Sequence, residues 1–297
     1  MLDRESTFAD PDIIQLLQNE LVPVAIDQAY QRRQKDAEGD FYRKIAGKGP
    51  RGDGSNGGTT QGLYIAAPDG TYLGYSNHRS PERIKQLIRK GLSGTASGNT
   101  SLIEQGKKDL RYSPIPPKGG LTVRVQAKVL GGYPATEDQW KKIFQTSLSR
   151  DNLWLTALEH QAILKGTIPN RVQRRIARFH LVDNTRGEPP MWKKDEIEKI
   201  EMKIKNGVLT GFARLKTGNG SRGYDCQFYG VVESKDGQMT RFDIVAKGDF
   251  WGNGPYTKGA PKGRFPLGIS FRLADGSDVA DGIPPQGSRG WIQGYLR

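Results

Sequence analysis

The chain is poor in the residues that most often carry chemistry. It has one cysteine, Cys226, and three histidines, His78, His160 and His180, in 297 residues. A single thiol excludes an internal disulfide and any cysteine-based zinc cluster, and the histidines stand too far apart in sequence for metal-ligand spacing. No metal and no other cofactor is expected. No apolar run approaches the roughly 18 residues that a membrane-spanning helix needs, so membrane insertion is not expected. The first residues also lack the basic stretch and apolar core of a secretory leader.

What the chain has is positive charge, unevenly placed. Its formal net charge is +13, and its mean hydropathy of −0.64 is polar yet compatible with a folded protein. Residues 1–92 hold 13 Lys/Arg against 12 Asp/Glu, whereas the rest of the chain holds 32 against 20. A basic surface, and with it any polyanionic partner, is therefore expected within residues 93–297. The plainer meaning of such an excess is a solvated, soluble surface.

In the first third, Asp10 and Pro11 form an N-cap and first-turn pair, and Ile13, Leu16 and Leu17 follow at helical spacing, which predicts a helix over 11–20. Leu21-Val22-Pro23-Val24-Ala25-Ile26 reads as a buried strand ending at Asp27. A polar helix is expected over 30–46 and a strand over 59–67. Pro68-Asp69-Gly70 forms a tight turn, and the returning strand covers 71–75. Ser80 and Pro81 open a last helix through Ile84, Leu87, Ile88 and Leu92, stopped by glycine.

Taken in order, Leu2-Asp3-Arg4-Glu5-Ser6-Thr7-Phe8-Ala9-Asp10-Pro11, the Val22-Pro23-Val24 strand ending in Asp27 and the Pro68-Asp69-Gly70 hairpin resemble the thioredoxin-like family. The likeness covers about residues 2–92 and matches the part of that fold which follows the Cys-x-x-Cys motif. It implies an α/β thioredoxin-like domain whose first strand and dithiol are absent. The family's cis-proline position falls at Thr60, where a non-proline makes a trans bond the expectation. In that fold the first strand lies between the Val22 strand and the Thr60 strand. Its absence leaves two edges to be filled by some other strand, or else marks the chain as the downstream part of a longer protein.

Other signals here are weak. Gly52-Asp53-Gly54-Ser55-Asn56-Gly57 matches a dinucleotide-binding pattern, but it follows a helix and leads into a strand, the reverse of what phosphate binding requires. It reads as a mobile loop, Arg51-Gly52-Asp53 as a coincidence, and His78 as a surface residue. Residues 93–119, with Ser113-Pro114-Ile115-Pro116-Pro117, read as a Gly/Ser/Pro-rich linker.

Residues 120–297 read as a basic α+β domain with an antiparallel sheet. An alternating strand is expected over 121–130, helices over 136–149 and 151–164, and a third from Pro169 through Phe179. Strands follow at 209–215, 224–234, 239–248 and 267–273, with Lys235-Asp236-Gly237 as one of the turns. Cys226 shares a strand face with Tyr224 and Phe228 and should be buried and inert.

Two segments concentrate functional atoms. Residues 178–192 carry Arg178, His180, Asp183, Arg186 and Glu188, a set suited to acid–base chemistry with His180, Asp183 and Glu188, or to anion binding by Arg178 and Arg186. The plainer reading is a loop pinned by ion pairs, with His180 hydrogen-bonded to Asp183 or to a backbone carbonyl. Residues 249–264 interleave Trp251 and Tyr256 with Lys258 and Arg264, which suits base stacking or sugar contact, and equally a lid over a core. The leading expectation is a two-domain binding or accessory protein with an unknown protein or polyanionic partner. The alternatives are a thiol-disulfide oxidoreductase whose Cys-x-x-Cys lies upstream of Met1, and a hydrolase or lyase using His180 and Asp183.

Overall fold

The computed structural model describes residues 2–94 and 106–297. Its contacts gather into two units, Asp3–Pro114 and Ile115–Arg297, with Leu2 grouped with the latter. The segment expected to be a linker is thus divided: residues 95–105 fall outside the described residues, while Asp109 belongs with the first unit. There its backbone amide donates to Asp36 and its carboxylate accepts from the amide of Lys35.

The first unit runs α1 (Leu2–Glu5), α2 (Pro11–Asn19), α3 (Gln28–Gln31), α4 (Ala37–Ala46), the hairpin β1 (Leu63–Ala66) and β2 (Tyr72–Ser76), and α5 (Pro81–Ser93). The caps form as the residues dictate. The Asp10 carboxylate accepts from the amide of Ile13 at 3.0 Å, and Asp36 accepts from Gly39 at 3.1 Å. A small core of Ile13, Ile84 and Ile88, with Leu16, Leu17, Leu21, Leu63, Ile65 and Leu92 packed on it, joins α2 and α5 to the hairpin. At the hairpin tip Gly70 takes φ of +84°, a conformation glycine adopts without strain.

Two expectations are corrected here. The helix over 30–46 is divided between α3 and α4; Gln34 is buried at the break, where its carbonyl accepts from Arg43 at 2.7 Å. More consequentially, Leu21–Ile26 is not a buried strand. Val22 is 89% exposed, Val24 70% and Ile26 44%, and among the described residues no hydrogen bond reaches the backbone of 21–26. The local β-propensity is real, but a strand exists only where a neighbour supplies its ladder, and β1 pairs with β2 alone.

The second unit is built on one antiparallel sheet of seven strands in the order β4-β3-β9-β8-β7-β6-β5. These are β3 (Leu121–Val129), β4 (Asp151–Leu155), β5 (Ile197–Lys205), β6 (Val208–Lys216), β7 (Gly223–Lys235), β8 (Gln238–Trp251) and β9 (Arg264–Leu273). Tight turns at Asn206-Gly207 and Asp236-Gly237, with φ positive at all four residues, join β5 to β6 and β7 to β8. Alternate residues of each strand feed one core, including Val125, Leu209, Tyr224, Cys226, Phe228, Phe242, Ile269 and Phe271. The helical segments α6 (Gln139–Thr146), α7 (Ala157–Leu164), α8 (Asn170–Arg175), a five-residue π turn at Ile176–His180 and α9 (Ile292–Leu296) complete the unit.

The helix expected over 151–164 is in fact strand β4 followed by α7. All five residues of β4 are buried, so apolar side chains on both of its faces imitate helical spacing. Strand β5 was not expected at all.

Candidate functional site

Within the second unit, the 178–192 segment is folded inward and held by several separate sets of partners. His180 is 2% exposed. Its Nε2 lies 2.7 Å from the Tyr295 hydroxyl, and its Nδ1 stands 3.1 Å from Asp151 Oδ2 in a contact outside hydrogen-bond geometry. The other carboxylate oxygen of Asp151 accepts from the amides of Asn152 and Gln286. The expected partner of His180, Asp183 or a carbonyl, is therefore replaced by Asp151 from β4 and Tyr295 from α9.

Asp183 is itself 2% exposed and accepts from the amide and hydroxyl of Thr185 and from the Arg186 guanidinium. Arg186 also donates to Asn253 Oδ1 at 3.3 Å. Arg178 lies over the Phe179 ring at 4.9 Å. Glu188 is paired with Arg289 at 3.0 Å in a half-exposed bridge. Trp192 is fully buried; its indole donates to the Leu181 carbonyl, and the Arg222 guanidinium stacks on it at 4.0 Å. His180 and Asp183 are thus both buried, with no hydrogen-bond partner in common among the described residues.

Glu159, wholly buried at the start of α7, accepts two hydrogen bonds from Arg175 at 2.8 and 2.9 Å and forms an ion pair with Arg171 at 2.8 Å. Burial alone pushes this carboxyl up, but the Arg175 bonds, the Thr156 amide and the two guanidinium charges outweigh it and hold it below the usual carboxylate range. Arg175 also donates to the carbonyls of Trp154, Tyr295 and Leu296, which fixes the C-terminal helix. This is the chemistry of a scaffold.

The open surface lies on the other face of the sheet. Directly opposed residues of antiparallel strands point the same way, so the register defines two rows across that face. One runs Lys128, Gly268, Lys247, Gln227, Phe212 and Glu201; the next runs Pro266, Asp249, Asp225, Arg214 and Lys199. Lys216 and the Trp251–Arg264 pair close the end of the rows in a groove of about 680 Å³. Arg214, Lys216 and Lys247 are exposed and have no ion-pair partner among the described residues. Lys199 sits over the Phe212 ring at 5.0 Å. Of the acidic groups, Asp225 is paired with Arg264 at 2.8 Å, while Asp249 and Glu198 are exposed.

The aromatic set of residues 249–264 is divided by the fold. Trp251 lies against the backbone of Gly223, where a Cβ would stand only 2.0 Å from the indole, and Arg264 covers it at 4.0 Å. Its indole N–H donates to the Gly220 carbonyl. Both ring faces are thus engaged, and a ligand meets the outer side of Arg264 rather than the bare ring. Tyr256, 77% exposed, and Lys258 stand instead on the following loop, which is tied to the 187–190 segment by close contact of Gly187 with the Tyr256 carbonyl. Arg214, Lys216, Lys247 and Phe212 escaped sequence reasoning because they occupy the outward positions of strands read only for their inward ones.

Cys226 lies beneath the groove, buried, its thiol pushed up to about 12 by burial. Among the described residues no group of three His, Cys, Asp or Glu is placed to hold a metal ion, and no helix is long and apolar enough to cross a membrane. In the first unit Thr60 is buried and follows a trans bond. Its amide donates to Gln28 Oε1 at 2.7 Å, and its hydroxyl meets that of Tyr42. Comparison with known protein families, with curated proteins and with solved structures finds no match for this chain.

Proposed function

We propose that this is a binding protein whose second unit takes a polyanionic chain on the outer face of its seven-stranded sheet. The observation that carries the reading is the set of unpaired cations, Arg214, Lys216 and Lys247, ranged with Phe212 on a face that the core does not use. Rigid strands hold these groups at fixed spacing, so contacts with successive anionic groups are paid for in advance in entropy. The local charge is moderated by Asp249 and Glu198, which favours an anion of defined spacing over indiscriminate attraction. The first unit we read as a thioredoxin-like module without a dithiol, supported by the order of its helices and hairpin, by the Asp10 cap and by Pro81 in the first turn of α5.

Catalysis by His180 and Asp183 has less support, since each is buried among its own partners. Titration of a single-stranded oligonucleotide or a sulfated oligosaccharide into the full chain tests the binding reading. Binding should appear at low salt and weaken steeply as salt rises, because each phosphate or sulfate contact releases counterions. Arg214→Glu with Lys247→Glu should abolish it, while Lys165→Glu on the α7 cap should not. Absence of binding at low salt, or binding indifferent to the paired substitution, overturns it.

A further inference from the structure

The outer face of the seven-stranded sheet carries more than charge. Between the row that holds Lys128 and Lys247 and the row that holds Arg272 and Lys205 runs a third, made of Gln126, Ser270, Val245, Tyr229, Thr210 and Lys203. In it Tyr229 is 61% exposed, and neither its ring nor its hydroxyl has a partner among the described residues. Val245, directly opposite, and Val208, in the row beyond, are exposed as well. A band of apolar surface with one open ring is thus flanked by cations. We propose that the polyanionic chain is a single-stranded nucleic acid, with a base stacked on Tyr229 and its phosphates held by Lys247 and, farther along, by Arg214. This rests on the polyanion reading above and adds the class of the chain.

The choice of occupant follows from charge and from what the band offers. Phe212 and Trp251, the aromatics of the groove, are already engaged, the first by Lys199 and the second by Arg264 and the Gly223 backbone. Tyr229 is the ring beside them that a ligand can cover. Lys247 is its diagonal neighbour, because Lys247 opposes Gln227 and Val245 opposes Tyr229, which sets the two residues roughly 7–8 Å apart. That span suits the base and phosphate of one nucleotide. The acids nearest the ring are neutralised, Asp243 by Arg241 at 2.7 Å and Glu201 by Lys203, so neither opposes a phosphate there.

Other polyanions fit the band less well. A sulfated sugar brings hydroxyls that need hydrogen-bond partners, and Val208, Val231 and Val245 supply none. A base face needs none, and stacking on an aromatic ring tolerates every base. An acidic peptide brings carboxylates without a planar ring on each unit. In a duplex the bases are stacked on one another, so Tyr229 meets a base only in a single strand.

Titration of three probes into the full chain tests the proposal: an oligothymidylate, an abasic strand with the same number of phosphates, and a sulfated oligosaccharide of equal charge. The oligothymidylate should bind at least about fivefold more tightly than either of the others. Tyr229→Ala should remove that advantage and leave the abasic strand's affinity as it was, which also shows that the sheet is intact; Tyr229→Phe, which keeps the ring, should restore it. Stacking releases no counterions, so Tyr229→Ala should leave the slope of log affinity against log salt unchanged, whereas Lys247→Ala should reduce it by about 0.7. Equal affinity for the oligothymidylate and the abasic strand overturns the proposal and leaves the polyanion reading standing. So does an oligothymidylate affinity indifferent to Tyr229→Ala, equal loss of both strands in that variant, or tighter binding of the sulfated oligosaccharide. Failure of all three probes at low salt removes the polyanion reading, and the proposal with it.

Discussion

The two units solve the same problem to different degrees. In Ile115–Arg297 seven strands satisfy one another in a single sheet, and a contiguous core from Val123 to Tyr295 fills one side of it. In Asp3–Pro114 the sheet is only the β1–β2 hairpin, three isoleucines are fully buried at its core, and an apolar stretch stands in solvent. A two-stranded hairpin is marginal by itself, so this unit depends on α2 and α5 for its stability. The contrast teaches that apolar content alone does not make a core; each strand must also find a partner for its backbone.

The largest effect should come from breaking the polar anchor of the larger unit. Arg175→Ala leaves Glu159 buried beside Arg171 alone and removes the donors that hold Tyr295 and Leu296. A loss of about 3–5 kcal/mol is expected in denaturant unfolding followed by tryptophan fluorescence. Acid tests the same anchor. Because the Glu159 carboxyl is held below its ordinary value, its contribution is complete above about pH 4.3 and is lost as pH falls from there through the depressed folded value. Glu159→Gln should flatten that acid dependence, and an unchanged profile would show that the anchor is not electrostatic.

In the smaller unit the corresponding substitution is Ile88→Ala. Removing a buried isoleucine costs about 2–5 kcal/mol wherever it is made, but here it falls on a core with few other members. Amide exchange should then rise to the unprotected rate across α2, α5 and β1 while β7 and β8 keep their protection. Simultaneous loss in both units would show that they unfold as one and would remove the basis of the comparison.

Legibility in the sequence follows the same division. The meander β6 to β9 was readable because one face is buried and the other open, so alternation is clean and the Asp236-Gly237 turn marks the reversal. Strand β4 was not, since both its faces are buried. Strand β5 hid behind its charge: Glu198, Lys199, Glu201, Lys203 and Lys205 belong to an edge strand, and the two signals that could have revealed it were the alternation of Ile200, Met202 and Ile204 with charged residues and the Asn206-Gly207 turn. The stretch 21–26 failed in the opposite sense, with strong local propensity and no neighbour. Partners such as Asp151 and Tyr295 for His180 lie 29 and 115 positions away and leave no local trace.

The smallest effects concern the helix starts of the smaller unit, where the sequence was most legible. Asp10 accepts from the Ile13 amide and stands 3.6 Å from Lys85 of α5, so it joins the cap of α2 to the helix it packs on. Asp10→Ala removes both interactions and should cost about 1 kcal/mol, most of it from the cap. Asp10→Asn keeps the cap and removes only the charge, and should cost a few tenths of a kcal/mol, a loss that vanishes in high salt. Val24→Lys, by contrast, touches a stretch whose backbone has no hydrogen bond among the described residues and should change stability by no more than about 0.5 kcal/mol. A larger loss on Val24→Lys would mean that 21–26 is already part of the core, and the difference between the two units would narrow accordingly.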